Sequence, residues 1–255
     1  MGRAIIAALL DNPSITLSAA LERDDSPFIG KDAGEVAGIA KLGVRISADR
    51  EKAVRKADVI IDFSMPEASM KLIEEAVASK KSVVLGTTGF SHHQREAIKE
   101  AGAKIPLVMS PNMSVGVNLL LKLVEDAASV IGKGYDIEII EAHHRHKKDA
   151  PSGTAVRLAE VIAAKLDRDL EKVAVYQRKG IVGERRPEEI GIQSIRAGDI
   201  VGDHTVIFAA PGERIELTHK AQSRDTFAAG ALRAAVWVAG KPAGLYDMQD
   251  VLGLK

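Results

Sequence analysis

Short apolar runs alternate with helix-like stretches through the first hundred residues, and that alternation restricts the fold more than any other feature of the sequence. Residues 57–63 (Ala-Asp-Val-Ile-Ile-Asp-Phe), 82–85 and 105–109 read as strands, and residues 66–79 and 92–101 between them read as helices. Residues 15–21 read as an earlier strand. Apolar strands joined by helices need crossover connections, which give a parallel sheet covered on both faces. Each strand ends in a polar or glycine-bearing turn: Glu22-Arg23, Ser64-Met65, Gly86-Thr87-Thr88-Gly89 and Ser110-Pro111-Asn112-Met113-Ser114. Ligands of such sheets bind at the carboxyl ends of the strands, so these turns are expected to line one crevice.

The pattern changes after Ser114. A long helix over residues 117–132 leads to an alternating strand, residues 136–140, and a second amphipathic helix follows at residues 154–166. Strands are expected at residues 190–197, 204–210 and 213–221, with hairpin turns at Gly202-Asp203-His204 and Pro211-Gly212-Glu213, which makes this part a mixed or antiparallel sheet. Residues 226–240 return to helix. Residues 1–114 with 225–255 are expected to form one domain and residues 115–224 a second.

Between the strand and helix of the second part lies Glu141-Ala142-His143-His144-Arg145-His146-Lys147-Lys148-Asp149-Ala150-Pro151-Ser152-Gly153-Thr154. Ser152 is placed to cap the helix, whose first N–H groups and partial positive charge make Ser152, Gly153 and Thr154 a candidate anion site. With Lys147 and the imidazoles added, the segment suits a small carboxylate-bearing molecule that must receive a proton. A basic run after a strand is more often a solvated loop, so the segment alone does not decide the matter.

Other classes are excluded more readily. His144 and His146 share a face, but no third ligand stands at a recognisable spacing and there is no cysteine, so no metal site is expected. The 35 basic residues are balanced by 35 acidic ones, which argues against nucleic acid as a partner. No apolar run approaches the roughly 20 residues that cross a bilayer. Residues 1–10 read as an amphipathic helix ended by Asp11-Asn12-Pro13-Ser14, and a cytoplasmic protein is expected.

Two strand-end turns carry cofactor chemistry. Glu22 stands about twenty residues after Gly2, where a dinucleotide fold places an acid on the adenine ribose. Arg23 beside it suits a 2′-phosphate, so NADH and NADPH both remain open. The Gly86–Gly89 turn permits close approach of the backbone to a flat ring.

At this point the residues resemble the dihydrodipicolinate reductases of lysine biosynthesis. The resemblance is carried by the segment from Glu141 to Thr154, by Gly86-Thr87-Thr88-Gly89-Phe90 and by Asn112-Met113-Ser114-Val115-Gly116-Val117-Asn118. Arg196-Ala197-Gly198-Asp199-Ile200-Val201-Gly202, Thr218-His219-Lys220-Ala221 and Ser223-Arg224 continue it, and it extends from Met1 to the C-terminus. It implies a Rossmann-type dinucleotide domain, a second α+β domain with a mixed sheet for substrate binding and oligomerisation, and a homotetramer. It implies reduction of 4-hydroxy-tetrahydrodipicolinate by NADPH or NADH, with His143 as general acid and Lys147 as second catalytic residue. His144, Lys147, Ser152, Gly153 and Thr154 match the groups that hold the substrate carboxylates. Glu22 and Arg23 match the adenosine-ribose contacts. Gly86, Thr87 and Thr88, with Ser110, Pro111, Asn112 and Met113, match the loops around the nicotinamide half, and Met1 stands beside the pyrophosphate turn.

The family pattern opens with a strand and a Gly-rich turn running into Arg-Met-Gly-Arg. This sequence joins it at Met1-Gly2-Arg3, so the expectation is a parallel sheet lacking its first strand, and an internal methionine at position 1. The alternative reading is a dicarboxylate-binding protein deficient in cofactor binding.

Overall fold

A computed structural model describes residues 1–255. The chain divides into two units, Met1–Val115 with Asp225–Lys255, and Gly116–Arg224. The first unit runs through α1 (Gly2–Ala8), β1 (Ala20–Leu21), α2 (Ala33–Ala37), β2 (Ile46–Ser47), α3 (Arg50–Lys56), β3 (Val59–Asp62), α4 (Pro66–Ala78), β4 (Ser82–Leu85), α5 (His92–Gly102) and β5 (Pro106–Met109). The second comprises α6 (Val115–Ile131), β6 (Asp136–His143), α7 (Gly153–Lys165), α8 (Leu170–Val173), β7 (Ala174–Val175), β8 (Ile190–Arg196), β9 (Gly202–Ala210) and β10 (Glu213–Ala221). The chain then returns to the first unit as α9 (Asp225–Val238), β11 (Gly244–Tyr246) and α10 (Met248–Leu252).

In the first unit β11, β5, β4 and β3 lie side by side, all parallel. Strand periodicity sends alternate residues to opposite faces, and both faces are apolar here. Val83 and Leu85 pack with Ile73, Ala76, Ile98 and Ala101 of α4 and α5. Val84 and Val108 pack with Ile5, Ala231, Leu232 and Val238 of α1 and α9. Helix starts follow local chemistry: Pro66 opens α4, and Ser91 and Gln94 form a capping box on α5.

The strand expected at residues 15–21 is formed only at Ala20–Leu21, because its one partner, β2, offers two residues of parallel register and was not foreseen. β1 and β2 make a sheet of their own, and β3 is an edge strand of the other. The sheet of this unit is therefore in two pieces.

The second unit has a continuous five-stranded sheet in the order β10, β9, β6, β8, β7. β6 is parallel to β8 and antiparallel to β9, the mixed sheet that the sequence implied. Ile137, Ile139, Ile190, Ile192, Val206 and Phe208 face Val117, Leu121 and Val124 of α6 and Leu158 and Ile162 of α7. The Pro211-Gly212 turn joins β9 to β10 as a hairpin, with Gly212 at φ +91°. The hairpin expected at Gly202-Asp203-His204 is not formed, since β6 lies between β8 and β9 and these residues belong to β9 itself. Gly202 answers a close approach rather than a turn: a Cβ there would stand 3.1 Å from His143 Nε2.

Candidate active site

The second unit builds its site by continuing core rows into polar residues. On β6 the inward row runs Ile137, Ile139, Glu141, His143, and cross-strand register sets Glu141 against Ser194 and His204, and His143 against Arg196. The apolar half of each row packs on the helices, while the polar half gathers at the end of β6.

Glu141 is fully buried, and both of its oxygens are engaged. Arg196 donates through Nη1 to Oε2 and through Nη2 to Oε1, each at 2.8 Å. His143 Nδ1 lies 2.6 Å from Oε2, and the Ser152 N–H donates to Oε1 at 3.1 Å. Burial by itself pushes the Glu141 carboxyl up. Hydrogen bonds from Arg196, His143 and Ser194 outweigh it and hold the carboxyl down at about 2. An ionised partner at Nδ1 fixes that nitrogen as the donor and leaves Nε2 as the working atom of His143.

Ser152 caps α7, its Oγ accepting from the Ala155 N–H at 3.2 Å. The same Oγ lies 2.9 Å from His204 Nε2. His204 is 4 % exposed and packs edge-on against His143, ring centroids 5.2 Å apart. Burial pushes its imidazole down to about 4, and the neighbouring His143, His219 and Lys147 act in the same direction against Glu141. Lys147 reaches both oxygens of Asp149, at 2.9 and 2.8 Å. Gly153 begins α7 with open space where a Cβ would stand, and Thr154 follows it. A cavity of about 650 Å³ is lined by His144, Arg145, His146, Asp199 and Arg224.

The expected residues of this unit, His143, His144, Lys147, Ser152, Gly153 and Thr154, thus stand on one strand end, the loop after it and the first turn of α7. Glu141, Arg196 and His204 were not singled out as site residues. Their signal was available: each is a polar residue on the inward row of a strand, where an apolar one belongs.

The candidate residues of the first unit lie on strand-end turns. Glu22 and Arg23 follow β1 and are exposed; Arg23 Nε pairs with Asp25 at 3.0 Å, and Glu22 accepts the Arg23 N–H at 2.9 Å. Gly86 does receive a flat ring, but it is that of Phe63, which a Cβ would meet at 2.2 Å. The Thr87 hydroxyl is buried, 2.9 Å from Ser69 Oγ and 3.0 Å from the Ser64 N–H, and Ser69 in turn bonds Asp62 at 2.5 Å. Thr88 is exposed. The Ser110 hydroxyl donates to the Asn112 carbonyl at 2.8 Å, Pro111 is exposed, and Asn112 Oδ1 accepts from the Ser114 N–H. Met113 is 1 % exposed and packed with Ala228 and Ala231, so its side chain anchors the turn and leaves only backbone to a ligand. Met1 is exposed at the start of α1. An exposed carboxylate, an exposed guanidinium and backbone turns at the ends of parallel strands are a donor set that fits a dinucleotide. The described residues hold no cluster that would ligate a metal ion, and no helix is long and apolar enough to cross a membrane.

Fold and site define a class: a Rossmann-type α/β unit joined to a mixed-sheet unit that carries a carboxylate-held histidine. Residues 1–113 match the family described as dihydrodipicolinate reductase, N-terminus, and residues 116–252 match dihydrodipicolinate reductase, C-terminus. The 4-hydroxy-tetrahydrodipicolinate reductase of Syntrophotalea carbinolica is 53% identical over the whole chain and 96% of its own length. That of Laribacter hongkongensis is 55% identical over the whole chain and 95% of its own length. Among solved structures, dipicolinate-bound dihydrodipicolinate reductase from Paenisporosarcina sp. TG-14 shares the fold, with a TM-score of 0.77, 24% identity, and coverage of 98% of this chain and 94% of its own. The chain belongs to the dihydrodipicolinate reductase family.

Proposed function

We propose that this chain reduces 4-hydroxy-tetrahydrodipicolinate to tetrahydrodipicolinate in the diaminopimelate route to lysine, with His143 as the general acid. The observation that carries the reading is the 2.6 Å bond between His143 Nδ1 and the buried Glu141 carboxylate. It orients the imidazole so that Nε2 delivers the proton, and its negative charge stabilises the imidazolium that must form first. The substrate is a dicarboxylate. The first N–H groups of α7 at Gly153 and Thr154, with the Ser152 cap, receive one carboxylate, and His144 and Lys147 supply positive charge to the other. Lys147 reaches the substrate by exchanging its Asp149 partner for it and serves as the second catalytic residue.

NADPH or NADH, when bound, would supply the hydride; the 4-hydroxyl leaves as water, the hydride takes its place on ring carbon 4, and the proton from His143 completes the balance. Glu22 and Arg23 would hold its adenosine end, Met1 would stand where the last part of the pyrophosphate turn remains, and Gly86, Thr87, Thr88, Ser110, Pro111, Asn112 and Met113 would frame the nicotinamide half. Glu22 accepts from ribose hydroxyls, and Arg23 answers a 2′-phosphate. Whole-length relatives that are reductases disfavour the alternative of a cofactor-deficient binding protein.

The working form is a cytoplasmic homotetramer. Its support is the sheet face of the second unit turned away from α6 and α7, where Ile140 and Ile207 are partly exposed and Ile195 is exposed. Light scattering on the eluting protein measures the assembly directly.

Substrate generated in place by the preceding synthase tests the activity. Substrate-dependent NADPH oxidation is expected, and His143→Gln should lower kcat about 10²–10⁴-fold. No oxidation by the wild type, or a near-normal rate in the variant, would refute the reading.

A further inference from the structure

Burying a carboxylate with no exposed surface is expensive, and an apolar core of the same volume is usually as stable or more so. Glu141 therefore calls for a reason beyond stability. Its partners supply one. Oε2 takes the imidazole, Oε1 takes the Ser152 N–H eleven residues later, and Arg196 spans both oxygens. Arg196 is itself fixed by the Ile195 carbonyl and the Asp149 carbonyl, each at 2.7 Å. The basic loop between these points is thus stapled at both ends: at one end Glu141 precedes it in sequence, and at the other Glu141 and Arg196 grip Ser152 and Asp149.

We infer that Glu141, locked by Arg196, is the positioning residue that sets the proton donor and the carboxylate cradle against each other. The inference rests on the reading of His143 as acid and of the α7 start as anion site. One carboxylate fixes both the imidazole on β6 and the backbone at the cap of α7, so neither shifts without the other. The charged and titratable groups that face His143 are Glu141 on β6, Arg196 opposite it on β8 and His204 on β9. His204, held neutral by burial, steadies the ring edge and the Ser152 hydroxyl without adding charge.

Glu141→Gln tests this, because a glutamine presents one oxygen and one NH₂ where the structure needs two acceptors. It satisfies the His143 side or the Ser152 side, never both. The probes are turnover, and affinity for pyridine-2,6-dicarboxylate. The expected result is a fall in kcat of about 10²–10⁴-fold, by analogy with loss of the orienting carboxylate in a catalytic triad, or a loss of dicarboxylate affinity of about tenfold or more, or both. His143→Gln, by contrast, should lose kcat and keep dicarboxylate affinity. A folded Glu141→Gln protein that keeps kcat and affinity within twofold would overturn the inference and leave Glu141 a structural residue.

Nitrogen-15 spectra of the His143 ring in the wild type need no variant to fold. A proton on Nδ1 is expected; a ring whose only proton sits on Nε2 overturns the inference. Should the wild type show no reductase activity at all, the ring tautomer and the dicarboxylate affinities still decide the role of Glu141 separately.

Discussion

In the second unit β6 is paired along both edges, to β8 and β9, and its inward isoleucines are fully buried; in the first unit β3 is paired only to β4, and Val59, Ile60 and Ile61 are only partly buried. The candidate residues follow the same division. Glu141, Ser152 and His204 are buried and bonded from several directions, whereas Glu22 and Arg23 are exposed on the turn after a two-residue strand. A continuous sheet can present chemistry as an extension of its own register, because each inward position is already fixed by its neighbours. A sheet in two pieces presents only the turns at the ends of its strands, and ligand binding must then come from accessible side chains and backbone.

The comparison is broken most directly by matched core truncations. Ile139→Ala removes a fully buried side chain at the centre of the five-stranded sheet, and a loss of about 2–5 kcal/mol is expected. Ile60→Ala on the half-covered β3 should cost less, about 1–2 kcal/mol, in proportion to the smaller area removed from water. Hydrogen exchange at amides of each unit reads the two losses separately, which a single melting curve does not. Equal losses would mean that β3 is as well supported as β6.

Acid should also separate the units. His204 is held at about 4 in the fold against an ordinary 6.5, so the unfolded chain takes up the proton first. Its contribution is fully present above pH 6.5 and is lost as pH falls toward 4, at a cost of about 3 kcal/mol. Glu141, at about 2 against 4.5, adds a further loss between those values. In the first unit the buried cap Asp32 is held below its ordinary 3.8, chiefly by the Leu42 N–H, so its contribution begins to fail only below that pH. The second unit is therefore expected to loosen first, near pH 5, and His204→Gln should reduce the slope between 6.5 and 4, leaving the part that belongs to His219, which burial also lowers. An unaltered slope in that variant would assign it to other groups.

What was readable in the sequence divides along the same line. Long periodic elements were plain: α4, α5 and α6 fall within a few residues of expectation, as do β4, β8 and β10, because burial on defined faces fixes their pattern. β2, β7 and β11 have two or three residues each and depend on a neighbouring strand that no local pattern announces. The dense segment from His143 to Thr154 stood out because its residues are consecutive. Arg196 and His204 join it only through the pairing of β8 and β9 with β6, which is information about register rather than composition. Gly202 misled for a related reason: a glycine that admits the His143 ring reads locally like a turn.

The smallest effect on stability, and the sharpest on specificity, belongs to Arg23. Its guanidinium is 73% exposed and paired with an equally exposed Asp25, an interaction worth about 0–1 kcal/mol. Arg23→Ala should therefore leave unfolding of the first unit unchanged within about 0.5 kcal/mol. A charge-assisted bond to a 2′-phosphate is worth far more, so NADPH affinity should fall about tenfold to a hundredfold while NADH affinity, resting on Glu22, holds within about twofold. Asp25→Asn provides the opposite perturbation, freeing the guanidinium from a competing carboxylate and strengthening NADPH alone. Titration of both cofactors against the three proteins measures this. Equal losses for the two cofactors in Arg23→Ala would show that the turn after β1 binds what they share, and that the exposed pair is only a charged surface.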